Sequence, residues 1–521
     1  MNLINMRRLL CLLLGCLLCL TVGCTQPGND DPADTAETAE NVSGTDTEAV
    51  PATAPDTEPP TEAPTEPETE APLCTVSFVN GVGETVPPAV VRAGETLARE
   101  DIRLPEGTVF ADGDPVVYPI PSGVTFDGDL SRFTKTKLSD FIVTEDVTLA
   151  LALDFETTDS VSLSDTSVIN YYGRNYVTDE KVTFLNTSAG FAVRFYGSVL
   201  AASFSLRAAG PIDGSSQVFS PTLIRLRVYK DGNMDIGDSD VITIYRRSAV
   251  QQIVLAEFEE YGYHTVLIRK MNYDFWGYLE MTDISCDGGF TKAPPKPEKK
   301  MLVYGDSITV GFGIEYRATG DVGGDVPEKE DGTRTYAALL ADRYGTQLVE
   351  YCNTGVSVGV PCWRETAIMQ KDYWKQYAYF DTGSEYDMQQ YVPDLIICNL
   401  GTNDNSGLVN GASNFGNGTA SVPADYYKPA DLQKAYADFI SVMKQEYPDA
   451  AIIIAYGMMG TGPVVNQAIK AAVEDCGFDD VWYLNLQMVE LSQNAGHPTL
   501  AGHEAAYKQL YRFIDLHKIL G

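Results

Sequence analysis

Hydrophobic positions change their spacing from one region of the chain to the next. Leu9–Leu20 is an unbroken apolar run, too short to cross a bilayer as a permanent helix. Residues 25–73 are dominated by Thr, Glu, Ala, Pro and Asp and contain no Lys or Arg. They offer too little apolar surface to offset their ordering entropy, and their like charges extend them, so a disordered tether is expected. At residue 74 alternation begins. Cys74–Val79 reads as a strand and Asn80-Gly81 as a turn; Val90–Val91 and Thr96–Leu97 bracket an Ala-Gly-Glu turn, and Val143–Leu153 closes a small β module over 74–154.

Residues 156–290 carry short Val, Ile, Phe and Tyr runs between Gly, Asp and Asn turns, among them Phe191–Tyr196, Leu223–Tyr229, Val241–Tyr245 and His264–Arg269. That spacing predicts an all-β sandwich of jelly-roll type. Asp231-Gly232 and Asp235–Asp240 read as acidic hairpin turns in preference to a calcium loop. Thr291–Lys299 is a short, stiff, Pro-rich linker. From Met301 the rhythm alternates again. Met301–Tyr304, Thr346–Tyr351, Leu395–Asn399, Ala451–Tyr456 and Val481–Asn485 read as buried strands; Tyr336–Tyr344, Asp431–Tyr447, Val464–Cys476 and Ala501–Lys518 carry helical spacing. The expectation for 300–521 is an α/β domain, a parallel sheet with helices on both faces.

Charge narrows the partners. At a net charge of −35 the surface repels nucleic acid and anionic lipid. Arg7 and Arg8, the apolar run and the small-residue site Thr21-Val22-Gly23-Cys24 make residues 1–24 an export signal. A small residue followed by Cys resembles the lipobox of bacterial lipoproteins, which implies lipidation of Cys24, exposure on the outer side of the cell, and membrane attachment through that lipid alone. A plain cleaved signal with Cys24 incidental is the alternative. Of the later cysteines, Cys352 and Cys362 are the first pair to check for a disulfide, with buried free thiols preferred.

Candidate chemistry gathers at the ends of the C-terminal strands: Gly305-Asp306-Ser307, Asn353-Thr354-Gly355, Gly401-Thr402-Asn403-Asp404 and Asn494-Ala495-Gly496-His497-Pro498. Ligands of open α/β sheets sit outside the carboxyl ends of the strands, so these loops are expected to meet in one crevice. A hydroxyl needs a base to attack, and an acyl substrate needs donors aimed at the developing oxyanion. Ser307 is the candidate nucleophile and His497 the base. The amides of Ser307 and Gly355 and the Asn403 side chain are candidate donors, with Asp306 and Asp404 in support.

The order GDS, a lone glycine, GTND and a terminal HP resembles the four blocks of the SGNH (GDSL-like) hydrolases. A jelly-roll ending in GYLEMTDISCDGG, a Pro-rich joint, GDSITVGFG, YVPDLIICNLGTNDN and GHPTLAGH resembles carbohydrate esterase family 2 over about residues 160–521. That resemblance implies removal of acetyl groups from xylan, mannan or related polysaccharides without a metal or cofactor, with Ser307, Gly355, Asn403 and His497 in the roles above. An esterase of peptidoglycan or other cell-wall acetyl groups, and a non-catalytic glycan-binding surface protein, are the competing readings; a monomer is expected. The pattern TVSFVNGVGETV…VRAGETL…VTEDVTLALAL resembles the β-grasp repeat of bacterial surface proteins, the Listeria–Bacteroides type.

One position departs from the wider SGNH pattern: Asn494 stands where an Asp precedes the His by three residues. An Asp-to-Asn exchange costs a serine triad about 10⁴ in turnover through the wrong tautomer. A dyad oriented by a main-chain carbonyl, or by the Asn494 side-chain oxygen, avoids this. Trp363, Trp374 and Trp276 are candidates for a sugar cleft or for core packing. His264 reads as a satisfied strand residue, and His503 and His517 as helix-face or surface residues; their spacing does not make a zinc site.

Overall fold

The computed structural model describes residues 71–520 except 112, 114, 211–221, 320–325, 363–366, 382–383 and 412–425. The expectations for the export signal, Cys24, the tether up to residue 70 and Trp363 lie outside the described residues. The chain forms two compact units. In the first, Leu73–Asn80 and Val147–Leu151 pair in parallel at the middle of a sheet completed by Ala89–Arg92, Val116–Ile120 and Thr136–Lys137. The inward side chains Val76, Val117, Leu149 and Leu151 are fully buried. The single closing strand expected over Val143–Leu153 divides at Ala152; Leu153–Phe155 pairs instead with Thr108–Phe110, in the second unit.

The second unit contains the sandwich and the α/β region. Two strands of the sandwich, Gly190–Arg207 and Gln251–Lys270, run far beyond their expected lengths and pair antiparallel along most of them. Gly197 and Gly262 lie opposite each other in this ladder, beside register shifts at Gly197/Val199 and Leu200/Ala201. Glycines and irregular alternation read as turns; here they bend two continuous strands. The core takes Phe184, Phe191, Phe195, Phe204, Leu226 and Val266. The Pro-rich stretch is strapped to the sandwich: the Asn170 amide donates to the Pro294 carbonyl, and Ala293 N–H to the Ser167 carbonyl at 2.8 Å. The acidic turns use their carboxylates locally, Asp231 on Thr265 N–H and His264, Asp235 on Gly237 N–H.

Five parallel strands follow, in the spatial order Gln347–Cys352, Lys300–Gly305, Leu395–Asn399, Ala451–Tyr456, Val481–Asn485. Alternate side chains serve opposite faces. Met301, Val303, Ile397 and Ile453 pack under helices Tyr336–Tyr344 and Leu500–His517. Leu302, Tyr304, Ile396 and Ile454 pack under Pro429–Glu446 and Pro463–Asp475. Burial on both faces makes Leu395–Asn399 and Ala451–Tyr456 apolar nearly throughout, and truncating one such side chain to Ala costs about 2–5 kcal/mol. Lys300–Gly305 has the next strand in sequence on one side and the third on the other, so the order reverses at its carboxyl end, where α/β sheets open a crevice.

Candidate active site

Ser307 leaves that reversal point directly. Val310 N–H and Phe312 N–H return to the Asp306 and Ser307 carbonyls at 3.1 Å, closing a helical turn that holds the serine at its start. His497 arrives from the loop before Leu500–His517. There Gly496 N–H bonds the Ser492 carbonyl and Ser492 N–H the His497 carbonyl, both at 2.9 Å, so the loop is a closed turn. Gly313 lets this turn approach: at φ 65°, a Cβ placed on it would sit 2.6 Å from the Ala495 Cβ.

The serine and histidine meet although 190 residues separate them, with Ser307 Oγ 2.8 Å from His497 Nε2. His497 Nδ1 is 2.8 Å from the Ala495 carbonyl oxygen. A carbonyl only accepts, so Nδ1 carries the proton and Nε2 is left to accept from the Ser307 hydroxyl. Burial lowers the His497 pKa below the ordinary imidazole value, with the Ala495 carbonyl opposing, and this favours the neutral base. Phe312 backs the ring at 4.9 Å between centroids. Asn494 does not hold Nδ1: its side chain is exposed, and the carbonyl of its neighbour Ala495 has that place. A side-chain oxygen must be aimed through rotatable bonds, whereas this carbonyl is fixed by the closed turn.

The donor side is tied together through Asn403, the second residue of helix Thr402–Asn410. Its Nδ2 donates to Asp306 Oδ2 at 3.2 Å and to the Val356 carbonyl at 2.9 Å, linking the neighbours of Ser307 and of Gly355. Gly355 has φ 84°, a conformation that glycine adopts without strain. Asp404 braces this loop: its buried carboxylate accepts the N–H groups of Val358, Gly359 and Val360 at 2.9–3.0 Å. Burial raises the Asp404 pKa in spite of those bonds, and burial with the Asp404 charge pushes Asp306 up to about 7.

Other candidates lie elsewhere. Trp374 is only 2% exposed and sits in the core beneath the sheet, so it lines no cleft, and of its two readings core packing holds. Trp276, half-buried, donates Nε1–H to Glu330 at 2.8 Å. Cys352 and Cys362 are both free, as are the other cysteines among the described residues. The Cys362 thiol lies 3.3 Å from Asn403 Oδ1. His503 is not at the surface: it is 1% exposed, accepts Tyr336 N–H at 3.2 Å, and is pushed down to about 3 by burial and by its neighbour His497. His264 is held by Asp231 and the Glu260 carbonyl, and His517 packs on Phe513 at the helix end. The Ala495 carbonyl has no side-chain signature and was invisible as a residue type. Asp274 and Asn353, in contact beneath the donor loop, had one readable sign: the aromatic turn Tyr273-Asp274-Phe275-Trp276-Gly277 where a hairpin is normally polar.

Residues 303–510 match the family model described as GDSL-like Lipase/Acylhydrolase family. The chain is 27% identical over 261 residues to the cellulase/esterase CelE of Acetivibrio thermocellus, a match covering 48% of this chain and only 29% of that relative. To the acetylxylan esterase / glucomannan deacetylase of Cellvibrio japonicus it is 25% identical over 286 residues, 52% of this chain and 73% of the relative. A solved family two carbohydrate esterase from Cellvibrio japonicus shares the fold, with a TM-score of 0.57 at 22% identity over 69% of this chain and 97% of that one.

Proposed function

Because the chain carries a GDSL-like lipase/acylhydrolase domain over residues 303–510, we propose that it is a serine carboxylic-ester hydrolase, a carbohydrate O-acetyl esterase that removes acetyl groups from xylan- or mannan-type polysaccharides. The observation that carries this reading is the 2.8 Å contact of Ser307 Oγ with a His497 whose other nitrogen is held by a carbonyl. Ser307 attacks the acetyl carbonyl while His497 Nε2 takes its proton. The resulting imidazolium keeps its Nδ1–H on Ala495, and the oxyanion is met by the Ser307 and Gly355 amides and Asn403 Nδ2. In the free enzyme that amide rests on Asp306 and Val356; the oxyanion replaces the longer contact, the one to Asp306 at 3.2 Å. His497 then returns the proton to the departing sugar oxygen, and water repeats the sequence to release acetate.

The polysaccharide class is supported by the names of the two relatives, acetylxylan esterase / glucomannan deacetylase and cellulase/esterase. Acetate release should be measured side by side on acetylated xylan, acetylated glucomannan and bacterial cell wall. The plant polymers should be deacetylated by the wild type and left intact by a folded Ser307→Ala variant. Release from cell wall alone would reassign the substrate, and turnover retained without Ser307 would overturn the mechanism. The same reading places the enzyme outside the cell as a monomer, held through a lipid on Cys24. Mass spectrometry of the mature N-terminus should then find a diacylglyceryl-modified Cys24, and an unmodified cysteine there would exclude the anchor.

A further inference from the structure

The loop joining the sandwich strands Gln251–Lys270 and Tyr278–Cys286 is Met271–Gly277, and it is built against the usual chemistry of a hairpin turn. Met271, Asn272, Tyr273 and Asp274 are all buried, Asp274 completely. A buried carboxylate is costly unless its oxygens are met by donors and its charge by a counterion. Asp274 Oδ1 accepts from Asn353 Nδ2, and Oδ2 accepts Tyr379 N–H at 3.1 Å. The Lys270 ammonium supplies the opposite charge. The loop is clamped from the other side by Glu330, which accepts Tyr273 N–H at 2.7 Å and Trp276 Nε1–H at 2.8 Å.

Asn353 is the residue through which this matters to the chemistry. Its N–H bonds the Gly305 carbonyl at 3.3 Å and its carbonyl accepts Val356 N–H at 3.4 Å, so it opens the turn that contains Gly355. Its side chain is fixed by a carboxylate from the sandwich. Tyr273 of the same loop clusters with Val310 and Cys352, and Phe275, Trp276 and Phe312, the ring that backs His497, all pack against that cluster. One loop of the β domain therefore touches the supports of both the donor side and the base.

We propose that Asp274 is a positioning residue for the Gly355 amide, so that the sandwich loop Met271–Gly277 completes the esterase site and the α/β region alone is an incomplete catalyst. This inference rests on the acyl-transfer reading above. Misplacing a catalytic group by about 1 Å costs on the order of 10²-fold, and removing an oxyanion donor costs about 10²–10³-fold in turnover. Asp274→Asn in the full chain keeps an oxygen for Tyr379 N–H but presents an NH₂ to the Asn353 NH₂. It should lower kcat on p-nitrophenyl acetate by about 10- to 100-fold with KM within about twofold. The exchange Asp274→Asn with Asn353→Asp restores a donor facing an acceptor and should recover most of the lost kcat. Should Asp274→Asn fail to fold, Asn353→Ala carries the test, with the same loss of kcat expected in protein of native circular dichroism. A contact that only stabilises the fold would lower the melting temperature and leave kcat of the folded variant unchanged, and that outcome overturns the proposal. So does a double exchange no better than the single. If wild type and Ser307→Ala are equally inactive on every ester, the acyl-transfer reading itself has failed and this inference falls with it; an active wild type beside an equally active Asp274→Asn sinks the inference alone.

Discussion

The two sides of the candidate site are built in different ways. The proton-transfer side is short-range once the chain has folded: Ser307, His497, the Ala495 carbonyl and Phe312 make a chain of direct contacts without a charged partner. The donor side rests on buried carboxylates, with Asp306 on Asn403, Asp404 on three consecutive amides, and Asp274 on Asn353. A neutral base needs only its tautomer and direction fixed, and a carbonyl in a closed turn does both. Backbone amides that must not move when negative charge appears between them need stiff anchors, and a buried carboxylate accepting several N–H groups is stiff because every bond it loses is expensive. Damage to the first side should therefore remove chemistry outright, whereas damage to the second should degrade it.

The largest contrast is between His497→Ala and Asn403→Ala. Without the imidazole, nothing accepts the Ser307 proton, and turnover should fall by about 10⁴-fold or more, as in serine hydrolases stripped of their histidine. Without the Asn403 amide the attack still proceeds, and kcat should fall by about 10²–10³-fold with KM little changed. Steady-state kinetics on p-nitrophenyl acetate with both variants checks the ordering; equal losses would mean that the two sides do not divide the work in this way. Asp274→Asn belongs below both, since it displaces a donor without deleting one.

The same division explains what was readable in the chain. The strands Leu395–Asn399, Ala451–Tyr456 and Val481–Asn485 are found where apolar runs place them; in the first two, burial on both faces leaves no polar interruption before the strand end. The first helical turn at Thr402 has no sequence signal: Thr402, Asn403, Asp404 and Asn405 have no apolar period, and the turn is held through Asn403 on Val356 and Asp404 on Val358, Gly359 and Val360. Ser307 and His497 stood out since their side-chain types carry their chemistry. Ala495 acts through its carbonyl, a group every residue has. Asp274 meets Asn353 from 79 residues away within the same compact unit, a separation that no local spacing encodes. The 18- and 20-residue sandwich strands exceed what their spacing predicts because paired glycines and bulges interrupt their alternation.

The smallest effect, and the one that most directly tests the idea of a donor side standing on buried acids, concerns Glu350. It lies on Gln347–Cys352, the strand that leads to Asn353, is 1% exposed, and accepts from Thr335 Oγ1 at 3.2 Å through one oxygen. Burial pushes its pKa up to about 8 from an ordinary 4.5. A group whose folded pKa is raised holds its proton in the native state while the unfolded chain has lost it, so its contribution to stability is complete below about pH 4.5 and is lost as pH rises through about 8. The slope is on the order of 1 kcal/mol per pH unit at most. Glu350→Gln, neutral at every pH and nearly the same shape, should melt close to wild type at pH 4.5 and at a progressively higher temperature than wild type towards pH 9. Turnover should be unchanged, as Glu350 touches none of the reacting groups. Asp274 and Glu330 are raised by burial too and remain in both proteins, so the difference between the two melting curves isolates this one carboxyl. An advantage that is constant across pH would show that Glu350 is already ionised in the native state, so that burial does not hold its proton.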